Sequence, residues 1–501
     1  MAIPRFFGRT FSAIGRAISI QRHTLAAVVD ETVVGVRCHP HDSNDSNTVW
    51  SAEMSTNLLA RLYPRLSIDG PSGVVDGLRA LAFSINPEIE LVNTEPTVAI
   101  HLGMPANTPI GTNHIVSGAS GWVAGIGTLF EVAGAANPFS AAFAGALAVS
   151  EVFRIVFARY LSDSSRSEPT SVSLLDWGET TGHNEPLPSV DLGEIALVGL
   201  GAVGNAAVWA LSRLPEVRCT ACLIDHEAVE LSNLQRYVLA TDRDVGVLKP
   251  DLARSRLDGP GWKASVFNGR LEDFAKERCA DGPFDMRTML VGTDDVASRR
   301  SAQALLPRLL VNAWTSECGF GGSWHEFGNS SACLACLYQP DRIVPSETDV
   351  IADIFGLTKE RAALLWVMSR SLTDAELAAA GKRLGIADGD LAQWKDRPLP
   401  EIYTRLACGA VTMDASGVGR LDAVPLAHQS AFAGVIAAAE LVKRLVPTLS
   451  ARSQVEPLVV WHDVRGRIPR RWGEPRARRP GCICSDSDYL EAYREKWPTR
   501  G

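Results

Sequence analysis

Residues 195–236, IALVGLGAVGNAAVWALSRLPEVRCTACLIDHEAVELSNLQR, decide the fold. An apolar strand (195–198) runs into the glycine-rich turn GLGAVG (199–204) and a helix of small and apolar residues. A second strand (221–224) then ends on Asp225. This order predicts a nucleotide-binding βαβ unit, because glycines let the backbone approach a phosphate and a helix N-terminus favours negative charge. The predicted nucleotide-binding residues of this unit are Gly199, Gly201, Gly204 and Asp225.

The residues that follow favour phosphate chemistry over hydride transfer. Asn233 and Arg236 lie in SNLQR, Lys249 comes next, and a third strand (288–292) leads into Asp294. Attack on the α-phosphate of ATP concentrates negative charge at one phosphorus, so catalysis needs cations, neutral donors and a metal held by a carboxylate. A carboxylate at the carboxyl end of a parallel strand suits Mg²⁺. An NAD-dependent dehydrogenase would account for the glycines and leave SNLQR without a role.

Together these motifs resemble the E1-like adenylating enzymes (the ThiF, MoeB and ubiquitin-activating superfamily), which activate ubiquitin-like proteins and sulfur carriers. The resemblance is carried by GLGAVG, Asp225, SNLQR, Lys249 and TDDVASR (293–299). It extends over 190–340 and 405–490 and is faint before residue 180. It implies that the cofactors are ATP and Mg²⁺.

The resemblance also implies a role for each matching residue. Asp225 would bind the ribose, Asn233, Arg236 and Lys249 the phosphates, and Asp294 the Mg²⁺, so that Arg236, Lys249 and Asp294 are the predicted catalytic residues of adenylation. Two positions depart from the family: Asp295 stands where Asn is usual, and Tyr237 where Gln is usual. Neither departure removes a charge that adenylation needs.

Six of the ten cysteines form three close pairs: Cys219 with Cys222, Cys333 with Cys336 (both CxxC), and Cys482 with Cys484 (CxC). The first pair lies in a predicted strand, where residues three apart face opposite sides, and is interpreted as structural. Zinc needs four ligands in a tetrahedron, commonly supplied as two pairs from distant segments. E1-like enzymes often carry a structural zinc in this arrangement, which predicts a structural Zn²⁺ held by Cys333, Cys336, Cys482 and Cys484. The CxC pair departs from the usual CxxC. The alternative to a zinc site is that the four thiols are unrelated.

Cys408, in RLACGAV, is the predicted nucleophile. In relatives that pass a ubiquitin-like protein onward as a thioester, the cysteine precedes the last helix, here expected from His428 to Leu445. A thiolate at this place could attack the acyl-adenylate. A core cysteine at the approach to the helix is the alternative.

The resemblance further predicts an α/β protein with two Rossmann-like E1 adenylation domains, one degenerate and one active. The predicted segments are a degenerate domain (1–165), a linker rich in Ser, Thr, Pro and Glu (166–190), an active domain (191–490) with a helical crossover insertion (340–405), and a tail (491–501). An unrelated substrate-recruiting domain is the alternative for the first segment.

The first 165 residues have an α/β pattern without a GxGxxG motif. Strands are predicted at 26–37 and 97–102, and an apolar helix from about 138 to 160. In the family, an arginine of the partner domain often reaches the ATP phosphates. The candidates are Arg5, Arg9, Arg16 and Arg22, and the sequence does not choose among them.

Composition limits the partners. The net charge of −8 argues against a nucleic-acid binder. No uncharged apolar run reaches twenty residues, so we expect no membrane span and a cytoplasmic protein. An amphipathic leading helix is favoured over a transit peptide for the arginine-bearing start of the chain. The arginine-rich stretch 467–482 is either a solvated loop or a patch for an acidic partner.

The expected activity is ATP-dependent adenylation of the C-terminus of a ubiquitin-like protein, thioester formation on Cys408, and transfer to an E2-like partner. The fused architecture resembles the E1 components of bacterial ubiquitin-like conjugation operons (Bil-type antiphage systems). Three alternatives stay open: an adenylyltransferase for a sulfur carrier without a thioester, peptide modification in which a backbone amide captures the adenylate, and a non-catalytic scaffold subunit of an E1. Whether the chain also forms a homodimer is open.

Overall fold

The computed structural model of the 501-residue chain describes residues 6, 14, 22–40, 45–104, 113–127, 134–161, 169–178, 184–280, 284–316, 319–338, 347–384, 391–407, 425–451, 458–461 and 476–498. Two compact units make up the chain, residues 1–339 with 425–501, and residues 340–424. The larger unit is α/β and contains two parallel-rich sheets, as the sequence predicts.

The first sheet has seven strands: β1 (Val34–Cys38), β2 (Arg65–Asp69), β3 (Glu90–Leu91), β4 (Val98–Leu102), β5 (His114–Ser120), β6 (Val123–Ile126) and β7 (Thr170–Ser173). Their spatial order is β3-β2-β1-β4-β5-β6-β7. The pairs from β3 to β5 are parallel, and β6 and β7 add antiparallel pairs.

The helices of this half are α1 (Arg22–Glu31), α2 (Ser46–Ala60), α3 (Ser72–Ile85) and α4 (Pro138–Val156). Helix α4 is the one helix of the described residues that is long and apolar enough to cross a membrane, and 89% of its apolar window is buried. The Asn137 side chain caps its N-terminus by accepting from Phe139 N at 2.9 Å. This extent of burial indicates that α4 is a helix of the protein core.

Two segments of the first half differ from the expectation. The strand predicted at 26–37 is wrong for its first part, because α1 ends at Glu31 and β1 begins only at Val34. Leu25 and Val29 are four residues apart, so they bury one face of a helix even though the segment is rich in Val. In the predicted linker, β7 forms the edge of the first sheet, so this sheet extends past residue 165.

The second sheet repeats this arrangement with β8 (Val190–Val198), β9 (Val217–Asp225), β10 (Trp262–Asn268), β11 (Thr288–Val291), β12 (Leu309–Thr315), β13 (Phe320–His325) and β14 (Leu458–Trp461). Its order is β10-β9-β8-β11-β12-β13-β14, and its last two strands are again antiparallel to their neighbours. Both sheets therefore have the same topology.

The helices of the second half are α5 (Ala202–Leu211), α6 (Lys249–Arg256), α7 (Leu271–Arg278), α8 (Val296–Ala304), α9 (Leu334–Leu337) and, near the end of the chain, α14 (Ala427–Leu445), α15 (Pro447–Ser450) and α16 (Ser487–Lys496). The remaining labels, α10 to α13, belong to the smaller unit. Helix α14 packs against α5 so closely that a Cβ on Gly434 would lie 2.3 Å from the carbonyl oxygen of Val203. Only glycine allows this approach, which fixes the helix after the glycine-rich turn to the last long helix.

The two halves of the larger unit share a core. Phe143 of α4 contacts Phe432 of α14 with 4.6 Å between ring centroids. Trp177 donates its indole N–H to the buried carboxylate of Glu440 at 2.7 Å, and Lys443 donates to the Leu174 carbonyl at 2.7 Å. Burial lowers the pKa of Lys443 to about 8, although the neighbouring Glu440 carboxylate has the opposite effect and raises it.

The smaller unit is helical and has its own core. It contains α10 (Glu347–Phe355), α11 (Lys359–Val367), α12 (Asp374–Leu384) and α13 (Leu399–Ala407). Phe355, Leu365, Trp394 and Ile402 are among its buried residues. A capping box begins α12, since Glu376 N donates to the Thr373 hydroxyl at 3.2 Å and Thr373 N to the Glu376 carboxylate at 2.8 Å.

Candidate functional site

The glycine-rich turn lies at the carboxyl end of β8. Gly199 has φ +81°, and a Cβ there would come within 2.7 Å of Thr293 N, at the end of the neighbouring strand β11. A Cβ on Gly204 would lie 2.3 Å from the Gly199 carbonyl oxygen. Helix α5 begins at Ala202 after Gly201, which has no side chain to cap it. The first turn of α5 is therefore able to offer its N–H groups to a phosphate.

Asp225 ends β9 beside this turn and is 8% exposed. Its carboxylate accepts from Leu200 N at 2.7 Å and from Glu227 N at 2.9 Å. The acid thus fixes the glycine-rich turn and the start of the next loop at the same time. These two bonds still leave acceptor capacity on the carboxylate for a ribose hydroxyl.

The first four residues of SNLQR lie in a short 3-10 turn, Leu231–Gln235, which Asn233 stabilises and Arg236 follows. The Asn233 side chain accepts from Glu230 N at 2.9 Å in a capping box, so this buried amide shapes the turn that presents Arg236. Arg236 donates to the Gln235 side chain at 3.1 Å. Gln235 in turn donates to the Pro425 carbonyl at 3.0 Å.

Tyr237 brings the two predicted cations together. The Arg236 guanidinium carbon lies 5.8 Å and the Lys249 Nζ 5.3 Å from the centroid of the Tyr237 ring. Lys249 begins α6, is 4% exposed, and forms an ion pair with Glu227. Burial lowers the pKa of Lys249, but Tyr237, Glu227 and Asp225 together raise it above its ordinary value. Lys249 is therefore held as a cation beside the glycine-rich turn.

The first half of the chain supports this segment with two residues that sequence reasoning missed. Arg61, 1% exposed at the end of α2, donates to the carbonyl oxygens of Leu234 and Ala240. Asn57 donates to the Val238 carbonyl at 2.8 Å. A lone arginine in the apolar run LLARLY was the available signal, because a buried arginine needs acceptors that its own helix does not supply.

Asp294 and Asp295 follow β11 and have different surroundings. Asp295 caps α8 by accepting from Ser298 N at 2.7 Å, while Asp294 is exposed. Arg299 donates from Nε to the Thr293 carbonyl at 3.0 Å and hydrogen-bonds the Tyr338 hydroxyl. Asp295, the acid that departs from the family pattern, thus caps α8. Arg299 fixes the loop that carries Asp294.

The four cysteines of the two pairs come together and are buried. The Cys333 and Cys482 sulfurs are 3.6 Å apart, the Cys336 and Cys484 sulfurs 3.4 Å, and all four lie within 4.8 Å of one another. Tetrahedral zinc with Zn–S bonds of about 2.3 Å places its sulfurs roughly 3.8 Å apart. The cluster therefore has the composition and size of a metal site.

A cavity of about 310 Å³ lies between this cluster and the end of β12. Its lining combines aromatic and basic residues, among them Trp314, Tyr338, Arg476 and Arg479. Tyr338 connects it to the Asp294 loop through Arg299, whose guanidinium carbon lies 4.8 Å from the Tyr338 ring centroid.

The structure brings most of the predicted site residues to one edge of the second sheet. The glycine-rich turn, Asp225 and Lys249 are neighbours there, and Thr293 places Asp294 at the adjacent strand end. Arg22 begins α1. Cys408 and three of the candidate arginines lie outside the described residues: Arg5, Arg9 and Arg16.

Comparison with known proteins gives two family matches. The model of the ThiF family matches residues 189–482, and that of the BilD N-terminal domain matches residues 77–174. The uncharacterized protein y4jF of Sinorhizobium fredii is 32% identical over 521 residues, which cover 99% of this chain and 98% of that protein. The sulfur carrier protein ThiS adenylyltransferase of Escherichia coli is 26% identical over 233 residues, 44% of this chain and 88% of that protein.

Among solved structures, E. coli MccB is similar with 16% identity and a TM-score of 0.35. The similarity covers 58% of this chain and 64% of the MccB chain, just under two thirds of its length.

The ThiF match covers more than half of the chain and contains every described residue of the site in the second sheet. Together with the BilD match it confirms the resemblance to E1-like enzymes of Bil-type operons. The chain belongs to the ThiF family, within the E1-like adenylyltransferase superfamily.

Proposed function

We propose that this protein activates the C-terminus of a ubiquitin-like protein with ATP and passes it on as a thioester. The observation that carries the proposal is the pair of cations, Arg236 and Lys249, on the ring of Tyr237 beside the glycine-rich turn. Two fixed positive charges suit phosphoryl chemistry, because it concentrates negative charge at the phosphates.

The first step would be attack of a carboxylate oxygen on the α-phosphorus of ATP. The bond between the α-phosphorus and the oxygen bridging to the β-phosphorus breaks, and pyrophosphate leaves. Arg236 and Lys249 would neutralise the charge that accumulates, and the N–H groups of α5 would hold phosphate oxygens. Asp225 would bind the ribose hydroxyls.

The donor sets fit the two metals that the family implies. Asp294 offers an exposed carboxylate at the carboxyl end of β11, where it would hold Mg²⁺, and a bound Mg²⁺ would stabilise charge on the phosphates. The four buried sulfurs around Cys333 fit a structural Zn²⁺, which would join the chain before the helical unit to the C-terminal segment.

We place the carboxyl-terminal segment of the substrate protein in the cavity beside Trp314. Its basic lining (Arg476 and Arg479) is suited to acidic or backbone-carbonyl groups, and its aromatic lining to an apolar side chain. Its connection through Tyr338 and Arg299 to the Asp294 loop supports this placement.

We interpret the first half as an inactive adenylation domain that acts as partner to the active one. The identical strand order of the two sheets supports this interpretation, and β1 leads into His39 and Pro40 with no glycine-rich turn. The match of residues 77–174 to the BilD N-terminal domain supports a role in bacterial antiphage conjugation in the cytoplasm.

The second step would form the thioester on Cys408. The thiolate attacks the carbonyl carbon of the acyl-adenylate, the bond to the AMP oxygen breaks, and AMP leaves. Transfer to the thiol of an E2-like partner would follow by exchange of one thioester for another.

The test is ATP–pyrophosphate exchange with candidate ubiquitin-like proteins, followed by non-reducing gels of the wild type, Cys408→Ala and the control Cys279→Ala. Cys279 is exposed, so its loss controls for adventitious acylation. We expect exchange in all three and a thiol-sensitive adduct that only Cys408→Ala lacks. Exchange without any adduct would overturn the thioester step, and absence of exchange with every candidate would overturn the adenylation of such proteins.

A second candidate is an adenylyltransferase for a sulfur carrier or peptide without a thioester relay. It is favoured by the similarity to the ThiS adenylyltransferase, which covers 88% of that enzyme. Formation of a carrier adenylate without the Cys408 adduct would support it. A non-catalytic scaffold subunit is disfavoured, because a scaffold does not need Lys249 held as a cation in the glycine-rich site.

A further inference from the structure

Tyr237 stands where the E1-like pattern has Gln, and its surroundings suggest what this difference does. The side chain is 4% exposed. Its hydroxyl oxygen lies 3.4 Å from the position that a Cβ would take on Gly201. The phenol therefore packs against the glycine-rich turn itself.

The same phenol lies against Lys249. The Lys249 Nζ is 5.3 Å from the centroid of the Tyr237 ring, and against the lowering effect of burial the phenol raises the pKa of the ammonium. Glu227 accepts a hydrogen bond from the ammonium. Because an ammonium has three donors, this bond leaves two for phosphate oxygens.

The backbone of Tyr237 is fixed from both sides. Tyr237 N donates to the Asn233 carbonyl at 3.1 Å, and Ala240 N donates to the Tyr237 carbonyl at 2.9 Å. Asn57 and Arg61 hold the carbonyls of Val238 and Ala240 from the first half. The ring thus has little freedom to leave its place between Gly201 and Lys249.

We propose that Tyr237 is a positioning residue, which fixes the Lys249 ammonium against the glycine-rich turn so that the N–H groups not bonded to Glu227 point to the ATP phosphates. The part that concerns ATP rests on the proposed function. Gln would offer an acceptor to the ammonium, but it has no aromatic face for Lys249 and Arg236 to share.

The test uses the full chain and three variants. Tyr237→Phe removes the hydroxyl and keeps the ring, and Tyr237→Gln restores an acceptor without the ring. Tyr63→Phe removes a hydroxyl from a fully buried phenol elsewhere in the core and serves as the matched control. Melting temperatures establish that each variant is folded.

The first readout needs no nucleotide. The rate at which an amine-reactive acylating reagent modifies Lys249, measured by peptide mass spectrometry at one pH at which the protein stays folded, reports the fraction of neutral amine. We expect this rate to rise in Tyr237→Phe, to return part of the way in Tyr237→Gln, and to stay unchanged in Tyr63→Phe. An unchanged rate in folded Tyr237→Phe would overturn the proposal.

The second readout is calorimetric binding of α,β-methylene-ATP. Loss of the hydroxyl of the phenol that lies against the charged ammonium predicts affinity weakened about tenfold in Tyr237→Phe, with partial recovery in Tyr237→Gln. Equal affinity in the wild type and Tyr237→Phe would overturn the role toward ATP. If the wild type fails to bind the analogue while Tyr237→Phe changes the modification rate of Lys249, the positioning of Lys249 stands and the proposed ATP site fails. If Tyr237→Phe does not fold, the same comparisons with Tyr237→Gln decide.

Discussion

The guanidinium of Arg61 donates a hydrogen bond of 2.9 Å to the carbonyl oxygen of Ala240, 179 residues further along the chain. With its bonds to Leu234 and Asn57, Arg61 holds the segment that carries Arg236. The first half thus contributes to the nucleotide site through buried hydrogen bonds to the main chain, without adding a charge to the site surface.

Replacing Arg61 by Met should therefore affect both stability and nucleotide use. The buried carbonyls of Leu234 and Ala240 would lose donors, at about 1–3 kcal/mol for each group left unpaired. We expect a lower melting temperature and a KM for ATP that rises more than kcat falls, measured by pyrophosphate exchange. Arg159→Met, an exposed arginine of the same half, is the control. An unchanged KM would mean that the segment keeps its shape without the first half.

The close contact between α5 and α14 makes Gly434 a sensitive position. A Cβ at Gly434 would also lie 2.5 Å from the Ala206 Cβ, so Gly434→Ala should cost about 1–3 kcal/mol through overpacking. Gly77→Ala is the matched control, because a Cβ there meets nothing within 4 Å and should stabilise α3 by about 0.5–1 kcal/mol. Urea unfolding measures both. If both substitutions changed the free energy of unfolding equally, the close packing of α5 against α14 would be contradicted.

The cysteine cluster predicts one tightly bound zinc per chain. We expect Cys336→Ser to lose the metal and to lower the melting temperature, whereas Cys219→Ser, in β9, should keep it. Acid should release the zinc, because thiolate ligands must be deprotonated to bind. Elemental analysis of the purified variants is the measurement. Full zinc content in Cys336→Ser would remove this cysteine from the ligand set.

The helical unit should show a pH dependence that originates at Glu376. The hydrogen bond from Arg361 lowers the pKa of this carboxyl from 4.5 to about 2, against a smaller opposing effect of burial. A lowered carboxyl pKa contributes stability that is fully present above pH 4.5 and is lost as pH falls toward 2. Glu376→Gln should thus reduce the melting temperature at pH 7 and have a smaller effect at pH 3.

The control for this carboxyl is Glu360→Gln, in the first turn of α11. It should show a much weaker pH dependence. If Glu376→Gln lowered the melting temperature by the same amount at pH 3 and pH 7, the charge of the Glu376 carboxylate would not contribute to stability.

The sequence predicted the second sheet better than the first for physical reasons. GLGAVG and Asp225 form the turn through contacts of their own backbone and of nearby residues, so their sequence pattern is enough to predict it. The strand predicted from residue 26 was wrong for α1 because Val-rich helices and strands look alike over a short window. The strand in the predicted linker is polar, and its place at a sheet edge depends on its distant partner β6.

The parts of the site that depend on long-range contacts could not be predicted. Arg61 acts on carbonyls far along the chain, and the Asn233 side chain caps its own turn, which the residue type alone does not reveal. Asp295 likewise serves α8, a role that becomes clear only when the helix start is known. The thiols of the cysteine cluster were identifiable because zinc ligands commonly come as two close pairs from distant segments, whereas Cys219 and Cys222 lie within one strand.

Gln235 joins two parts of the proposed reaction. Its side chain accepts from Arg236 and donates to Pro425, the first described residue after the segment that contains Cys408. The Gln235 amide therefore ties the Arg236 guanidinium to the main chain just before α14, so that a displacement of that main chain would be transmitted to this cation.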